Sequence, residues 1–268
     1  MMRAAQFHVQ ELEKLVLSSQ INMVWPPGLM ATPPHQAPTS IDESRIRGML
    51  VGLAIGDSLG NTTEGLLPRE RWTTYGEIRD YLPNRYDKDK CIGLPSDDTQ
   101  LAFWTLEHLL NQGRIVPSKL ADDFASQQIF GIGKSTQEFV RAIKEGKSWL
   151  EASQPTAGNG ALTRIPAVTL PHIAQQSPAF WTDVILATAV THNDAAAIGA
   201  GLAFAVIFLE LLSMNTSPDP QWRVEKYVAI ASQIETSSNA LRPRGGPIEE
   251  KMVRTSLAIC SRPCSRTS

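Results

Sequence analysis

The apolar positions of this chain recur with helical spacing over most of its length. Apolar side chains return every three or four residues in successive stretches, and no stretch alternates apolar and polar residues long enough to indicate a strand. The pattern therefore predicts an all-α, compact multi-helical fold. We expect helices over residues 45–60, 99–112, 117–127, 135–145, 149–152, 161–170, 178–189, 194–213 and 222–238.

The two ends of the chain differ from this helical region. Apolar spacing over 6–17 predicts one helix, whereas residues 25–40 contain five prolines and no periodic pattern, which is typical of a linker. We expect the extension 1–43 to stay outside the core. The helical domain is predicted over 44–240, with Asp42 or Ser44 capping its first helix and an irregular polar tail over 241–268.

Four glycines recur at intervals of four residues along that first core helix: Gly48, Gly52, Gly56 and Gly60. Each glycine inside a helix costs about 1 kcal/mol relative to alanine. A stripe of four therefore predicts close approach of another backbone, and tight helix packing would explain it without any chemistry. From residue 61 to residue 94 the pattern gives way to a long connection, which in a compact domain is either functional or disordered.

An uncharged apolar stretch over 195–209 is the one candidate for a membrane span. It is about 15 residues long, which is shorter than the roughly 20 residues that a bilayer requires. A helix that is apolar all round is also typical of the centre of a helical domain. We therefore interpret this stretch as a buried core helix.

Composition narrows the classes of partner. Apolar residues make up 42% of the chain and charged residues 19%, and the formal net charge of −2 provides no basic face for nucleic acid or anionic lipid. Cys91, Cys260 and Cys264 form neither a disulfide framework nor a paired zinc motif. Without a signal-peptide pattern at the N-terminus, we expect a cytoplasmic protein with no membrane or nucleic-acid partner.

The densest polar motif is Ser-Asp-Asp-Thr-Gln at 96–100, directly before an apolar helical pattern. Two interpretations are compatible. Asp97 followed by Gln100 satisfies a capping box, and Pro95 favours an extended entry into the helix. Alternatively, the adjacent carboxylates of Asp97 and Asp98 bind a hard divalent cation, which prefers oxygen ligands and offsets their mutual repulsion.

Two glycine turns and one histidine complete the set of candidates. Gly131 and Gly133 precede one predicted helix, and Gly158 and Gly160 precede another, so their backbone N–H groups could stabilise a phosphate. Each turn taken alone is more commonly only a turn. A nucleotide P-loop is excluded at the first, because Gln128 stands where that motif needs glycine. His192, between two apolar helices, is by itself typical of a structural residue.

In chain order, these motifs resemble the ADP-ribosylglycohydrolase family, which includes the dinitrogenase reductase-activating glycohydrolases. The likeness spans about residues 44–213. The motifs that carry it are Gly-Asp-Ser-Leu-Gly (56–60), Ser-Asp-Asp-Thr-Gln (96–100), Gly-Ile-Gly-Lys-Ser-Thr (131–136), Gly-Asn-Gly-Ala-Leu-Thr-Arg (158–164) and Thr-His-Asn-Asp (191–194).

The resemblance implies a helical hydrolase that binds two Mg²⁺ or Mn²⁺ ions and releases ADP-ribose from a modified protein or small molecule. It implies that Ser96, Asp97 and Asp98 are metal ligands and that Glu64 and Asp98 are the catalytic carboxylates. Cleavage at the anomeric carbon needs a base to activate water, which carboxylates can supply. The substrate-binding residues would be the two glycine turns and the histidine: Gly131, Gly133, Gly158, Asn159, Gly160 and His192.

The chain departs from the family pattern near its C-terminus. The family carries a second metal-binding loop of the type Gly-Asp-Thr-Asp, and here no acidic residue follows Glu250. We therefore expect a C-terminally incomplete fold, uncovered apolar surface, and a metal site that binds an ion weakly or not at all. Three hypotheses follow: a hydrolase of doubtful activity, a non-catalytic remnant that binds ADP-ribose or another protein, and a helical core without a ligand.

Overall fold

The computed structural model describes residues 2–34, 42–84, 87, 89, 92–173 and 177–235. Within these ranges the chain forms twelve α-helices and no β-strand, which confirms the all-α prediction. The helices are α1 (Met2–Leu17), α2 (Pro27–Ala31), α3 (Glu43–Gly60), α4 (Pro68–Tyr75), α5 (Asp97–Gln112), α6 (Pro117–Ser126), α7 (Lys134–Lys144), α8 (Trp149–Ala152), α9 (Ile165–Thr169), α10 (Ala179–Ala189), α11 (Ala195–Ser213) and α12 (Pro220–Ile234).

Helix α11 lies at the centre of the core, packed against α9, α10 and α12. Asp194 caps it by accepting a hydrogen bond from Ala196 N at 2.9 Å, and twelve of its residues are buried. In the part of the chain that the structure describes, α11 is the helix long and apolar enough to cross a membrane, with 67% of its apolar window buried. Burial of most of its surface explains why its sequence is so apolar.

The closest approach of α10 and α11 depends on a glycine. A Cβ atom at Gly201 would lie 2.7 Å from the side-chain oxygen of Thr188 on α10, a separation that real Cβ atoms do not show. The Thr188 hydroxyl donates to Val184 O at 2.9 Å and is fully buried. Gly201 therefore sets the distance between the two central helices.

The prediction that residues 1–43 stay outside the core is wrong for the described part of that segment. Leu12 and Ile21 are each 1% exposed, and Met30 on α2 is 5% exposed. Helix α1 packs along α10, and Trp181 Nε1 donates to Thr32 O at 2.6 Å. The proline-rich composition indicated a linker because local composition does not report which tertiary surface a segment covers.

The glycine stripe of α3 also differs from its prediction. Cβ atoms placed at Gly48, Gly52, Gly56 and Gly60 would meet no heavy atom of the described residues within 4 Å. Helix α3 packs on α5 through its opposite face and leaves the glycine face exposed. Val51 and Ile55 are exposed beside it, at 57% and 41%.

The connection over 61–94 contains structure that the sequence pattern did not indicate. Helix α4 occupies Pro68–Tyr75, with proline at its first position, and Glu70 accepts a hydrogen bond from Leu67 N at 3.0 Å. A 3₁₀ turn over Asn61–Thr63 continues directly from α3. Lys88, Lys90, the three cysteines and the tail 241–268 lie outside the described residues.

Candidate active site

The N-terminus of α5 is capped by a side chain from another helix. Asp57, near the end of α3, accepts hydrogen bonds from Ser96 N at 2.7 Å and Thr99 N at 3.1 Å. The hydroxyls of Ser96 and Thr99 donate to the same carboxylate, each at 2.6 Å. The predicted capping box is therefore wrong, because the capping carboxylate comes from Asp57 and not from Asp97. This arrangement leaves the Asp97 and Asp98 carboxylates available for other partners.

Asp97 and Asp98, in the first turn of α5, are half-buried acids whose pKa values lie well above the usual range. Burial raises the pKa of Asp97 to about 6, and the charge of Glu64 adds to this effect. Burial raises the pKa of Asp98 to about 7, with further contributions from the charges of Asp97, Asp57 and Glu64. Hydrogen bonds to Gly133 and Thr163 offset part of these shifts. Four carboxylates therefore share one electrostatic environment.

A cavity of about 840 Å³ opens beside this cluster. Its floor is the glycine face of α3, where Gly52, Gly56 and Gly60 expose backbone. The other walls come from several elements and include Asp57, Glu64, Ser96, Asp98, Asn159, Thr163 and Phe204. The stripe without side chains thus provides the space, and the acids lie at one edge of it. Glu64 itself is exposed.

The turn that contains Gly131 and Gly133 lies against the start of α5. Gly133 N donates to Asp97 Oδ2 at 3.3 Å. Gln100 holds the same turn, since its side-chain amide accepts from Phe130 N at 2.8 Å and donates to Gln128 O at 3.1 Å. The turn is therefore fixed beside Asp97, while neither glycine lines the cavity described above.

The second glycine turn packs on His192. A Cβ atom at Gly158 would lie 3.2 Å from His192 Nε2, and one at Gly160 would lie 3.4 Å from His192 Cε1. Glycine at both positions lets the backbone rest directly on the imidazole. Asn159, between them, faces the cavity. His192 therefore supports the turn from behind, and it does not line the cavity.

A buried arginine fixes the protonation of that histidine. The fully buried Arg164 donates to Ala187 O at 2.8 Å and to the hydroxyl of Thr191. The same hydroxyl forms a hydrogen bond with His192 Nδ1 at 2.8 Å. Burial and the positive charge of Arg164 lower the pKa of His192 to about 3. His192 is therefore neutral at physiological pH.

Comparison with known proteins shows the family to which the chain belongs. The family model for ADP-ribosylglycohydrolase matches residues 38–259, which is most of the chain. The chain belongs to the ADP-ribosylglycohydrolase family. A solved structure of an ADP-ribosylglycohydrolase-related protein complex agrees, with a TM-score of 0.54 and 25% identity over 74% of this chain and 63% of that one. The family resemblance of the motifs and the helical fold are thereby confirmed.

Curated relatives of this glycohydrolase-family chain include named hydrolases. An ADP-ribosylarginine hydrolase of Serratia proteamaculans is 32% identical over 153 residues, which cover 52% of this chain and 39% of that protein. The ADP-ribosyl-[dinitrogen reductase] glycohydrolase of Rhodospirillum rubrum is 30% identical over 168 residues, which cover 59% and 55%. An uncharacterized protein of Archaeoglobus fulgidus is 30% identical over 61% of this chain and 54% of its own length. The matched residues thus span about half the length of these relatives.

The side-chain oxygens of Ser96, Asp97 and Asp98 are of the kind that a hard divalent cation prefers as ligands. Asp97 and Asp98 are adjacent carboxylates whose raised pKa values reflect burial and the charges of neighbouring carboxylates, which a cation would offset. Ser96 has its hydroxyl hydrogen directed at Asp57, so its oxygen can still coordinate an ion. Within the described residues, no three acidic, histidine or cysteine side chains already surround one point. Asp98 lines the cavity and Asp97 contacts Gly133 N, so the two carboxylates are candidate ligands by their chemistry alone.

Two features of the site escaped the sequence interpretation. Asp57 was visible in the motif Gly-Asp-Ser-Leu-Gly, but nothing in the local pattern indicated that its carboxylate reaches across to α5. Thr163 was part of the motif over 158–164, yet its contact with Asp98 depends on how the 3₁₀ turn Leu162–Arg164 packs on α5. Both contacts join residues far apart in sequence, so only the packed fold reveals them.

Proposed function

We propose that this chain is a metal-dependent hydrolase that releases ADP-ribose from modified arginine on a protein. The observation that carries the proposal is the shared cavity, in which Asp98, with a pKa raised to about 7, lies with Glu64 and Asn159. Support for arginine as the acceptor comes from the Serratia proteamaculans relative, which is named an ADP-ribosylarginine hydrolase. The name of the Rhodospirillum rubrum relative indicates a protein substrate as well.

The cavity suits a ligand of the size and polarity of ADP-ribose. Its volume of about 840 Å³ falls within the range of pockets that enclose small molecules. Asn159 and Thr163 offer amide and hydroxyl groups for ribose hydroxyls or phosphate, and Phe204 offers an apolar face. The glycine floor lets the ligand approach the α3 backbone closely. In this proposal the pyrophosphate lies by the Gly158–Gly160 turn and the reacting ribose lies by the acids.

The chemistry assigned to this site is hydrolysis of a carbon–nitrogen bond. Glu64 takes a proton from water as the water oxygen bonds to the anomeric carbon of ribose. The bond from that carbon to the guanidinium nitrogen breaks, and its electron pair stays on nitrogen. The acceptor leaves as a neutral guanidine, which solvent then protonates. The negative charges of Asp97 and Asp98 stabilise the positive charge that develops on the sugar ring.

Asp97 and Asp98, with the oxygen of Ser96, are the groups that would hold Mg²⁺ or Mn²⁺. When bound, such an ion lowers the pKa of its water and orients vicinal hydroxyls. Its presence would also neutralise the acid pair, so that both carboxylates are ionised at neutral pH.

Release of ADP-ribose from an ADP-ribosylated arginine peptide in the presence of Mn²⁺ tests the proposal. We expect release by the wild-type chain and a loss of at least ~100-fold with Asp98→Asn. Asp122→Asn, which changes an exposed acid on α6, is the matched control and should retain wild-type activity. Equal release by wild type and Asp98→Asn, or none by either, would refute the assignment of these carboxylates.

The second candidate is a chain that binds ADP-ribose without hydrolysing it. One observation favours it: within the described residues, no set of three acidic, histidine or cysteine side chains forms a preassembled metal site. Calorimetry with ADP-ribose, with and without Mn²⁺, separates the candidates. Binding without release from the peptide would favour this candidate, whereas the absence of both would leave a helical core that has no ligand of this class.

A further inference from the structure

A short segment between α1 and α2 contacts the turn that carries His192. The side chain of Asn193 accepts a hydrogen bond from Asn22 N at 2.8 Å and donates one to Gln20 O, also at 2.8 Å. Both functions of the primary amide are thus satisfied by backbone groups of the segment. The side chain of Asn193 therefore pairs with this backbone through one acceptor and one donor, and the two hydrogen bonds together fix its position.

The segment is itself fixed on the core. Ile21 lies between Gln20 and Asn22 and is 1% exposed. Val24 N donates to Ile234 O at 3.0 Å, at the end of α12. On the preceding helix, His8 Nε2 lies 3.3 Å from the buried carboxylate of Asp183. The segment that binds Asn193 is therefore itself attached to the helical core.

Further contacts connect Asn193 to the wall of the cavity. Asn193 N donates to Gln154 O at 2.8 Å, and Gln154 N donates to Thr191 O at 3.3 Å, so residues 154 and 191–193 run side by side. The imidazole of His192 then packs directly against Gly158 and Gly160. Asn159, on the opposite side of that turn, faces the cavity. A continuous series of contacts joins residues 20–22 to a candidate ligand-binding residue.

We propose that residues 20–22 are a positioning element for the Gly158–Gly160 turn, and that Asn193 is the positioning residue through which they act on ligand affinity. The element precedes residues 38–259, where the family model matches. The part of the inference that concerns ligand affinity rests on the proposed function. The start of α5, which carries the acids, is capped by Asp57 of α3, so the element should affect binding more than chemistry.

Full-length Asn193→Ala and Asn22→Ala provide a matched pair for the test. The first removes both side-chain hydrogen bonds, whereas the second retains the Asn22 backbone N–H and removes only an exposed side chain. With the arginine peptide, we expect Asn193→Ala to raise KM roughly fivefold to tenfold, as the loss of about two modest hydrogen bonds would, with kcat within roughly twofold. Asn22→Ala should match wild type. A fall in kcat at unchanged KM would overturn the proposal.

Hydrogen–deuterium exchange without ligand separates this inference from the proposed function. In Asn193→Ala, the amides of residues 154–163 should exchange faster than in Asn22→Ala, while those of 97–105 should be unchanged. Faster exchange at both sites, or at neither, would contradict a local positioning role. If wild type neither binds nor hydrolyses, the proposed function fails and exchange still decides the positional claim. Asn193→Asp, which keeps the acceptor for Asn22 N, replaces Asn193→Ala if circular dichroism shows that the alanine variant is unfolded.

Discussion

Asp57 and Thr99 join two helices through one carboxylate oxygen, Oδ2 of Asp57. This oxygen accepts from the backbone of Thr99 at 3.1 Å and from its hydroxyl at 2.6 Å. The contact fixes the start of α5 relative to α3 and so determines where Asp97 and Asp98 lie beside the cavity. The position of the candidate site therefore depends on Asp57 as well as on the acids of α5.

Asp57→Asn should destabilise the chain by about 2 kcal/mol, because an amide placed at Oδ2 would face three donors. These donors are Ser96 N, Thr99 N and the Thr99 hydroxyl. Urea denaturation followed by circular dichroism measures the loss, with Asp122→Asn as the control on an exposed acid. A denaturation midpoint equal to that of the control would show that the cap contributes no stability.

The acid pair should make the metal-free chain less stable as pH rises. The folded-state pKa values of Asp97 and Asp98, about 6 and about 7, lie above the ordinary value of 3.8. Between about pH 4 and pH 7 the folded chain therefore binds more protons than the unfolded chain, and its stability falls through this window. Asp98→Asn removes one of the two charges and should be more stable than wild type at pH 8 in EDTA.

At pH 4 the same comparison should give nearly equal stabilities, because a protonated Asp98 carries no charge. The difference between the two proteins isolates Asp98 from other titrating groups. His192 acts in the opposite direction: its folded pKa of about 3 lies below 6.5, so stability rises with pH between those values. Urea midpoints at pH 4, 6 and 8 provide the measurement. A wild type that is more stable than Asp98→Asn at pH 8 without metal would contradict the account.

Binding of Mn²⁺ should strengthen as pH rises from 6 to 8. The ion must displace the proton from Asp98, whose pKa of about 7 makes the protonated form dominant at pH 6. One such proton weakens the apparent affinity by about tenfold for each pH unit below the pKa. Calorimetry in two buffers with different ionisation enthalpies measures both the affinity and the protons released. Binding that is independent of pH, or retained by Asp98→Ala, would place the ion elsewhere.

Gly201→Ala should destabilise the chain by about 1 to 3 kcal/mol, because its methyl group would overlap the side chain of Thr188. Thr188→Ala removes the atoms that the new methyl would meet, so the double variant should recover part of the loss. A double-mutant cycle of urea denaturation measurements tests this coupling. Additive effects of the two substitutions would show that Gly201 does not set the distance between α10 and α11.

The helices and the family motifs could be predicted from sequence, because the apolar period and the motif order are local signals. Helix α8 coincides with its predicted range, Trp149–Ala152, and the cap of α3 is Asp42, one of the two residues expected. Residue-specific roles in binding and catalysis remain predictions. The structure does bring Glu64, Ser96, Asp98 and Asn159 to one cavity. The other predicted site residues do not line it: Asp97, Gly131, Gly133, Gly158, Gly160 and His192.

The errors arose where tertiary packing decides the outcome. Prolines over 25–40 indicated a linker. Ile21, shortly before that segment, and Met30, within it, are nevertheless buried against the helical core. The glycines of α3 indicated a packed helix face, yet in the described residues that face borders a cavity. A stripe of small residues fits both a close neighbour and an open site, and the sequence pattern alone does not distinguish them.

Glu64→Gln decides whether the carboxylates of this cavity hydrolyse an ADP-ribosyl bond. The variant keeps the size of the side chain and removes the base, so release of ADP-ribose from the arginine peptide should fall at least ~100-fold. Affinity for free ADP-ribose, measured by calorimetry, should stay within roughly threefold of wild type, because binding does not require the base. Release by Glu64→Gln at the wild-type rate, with affinity unchanged, would contradict the account.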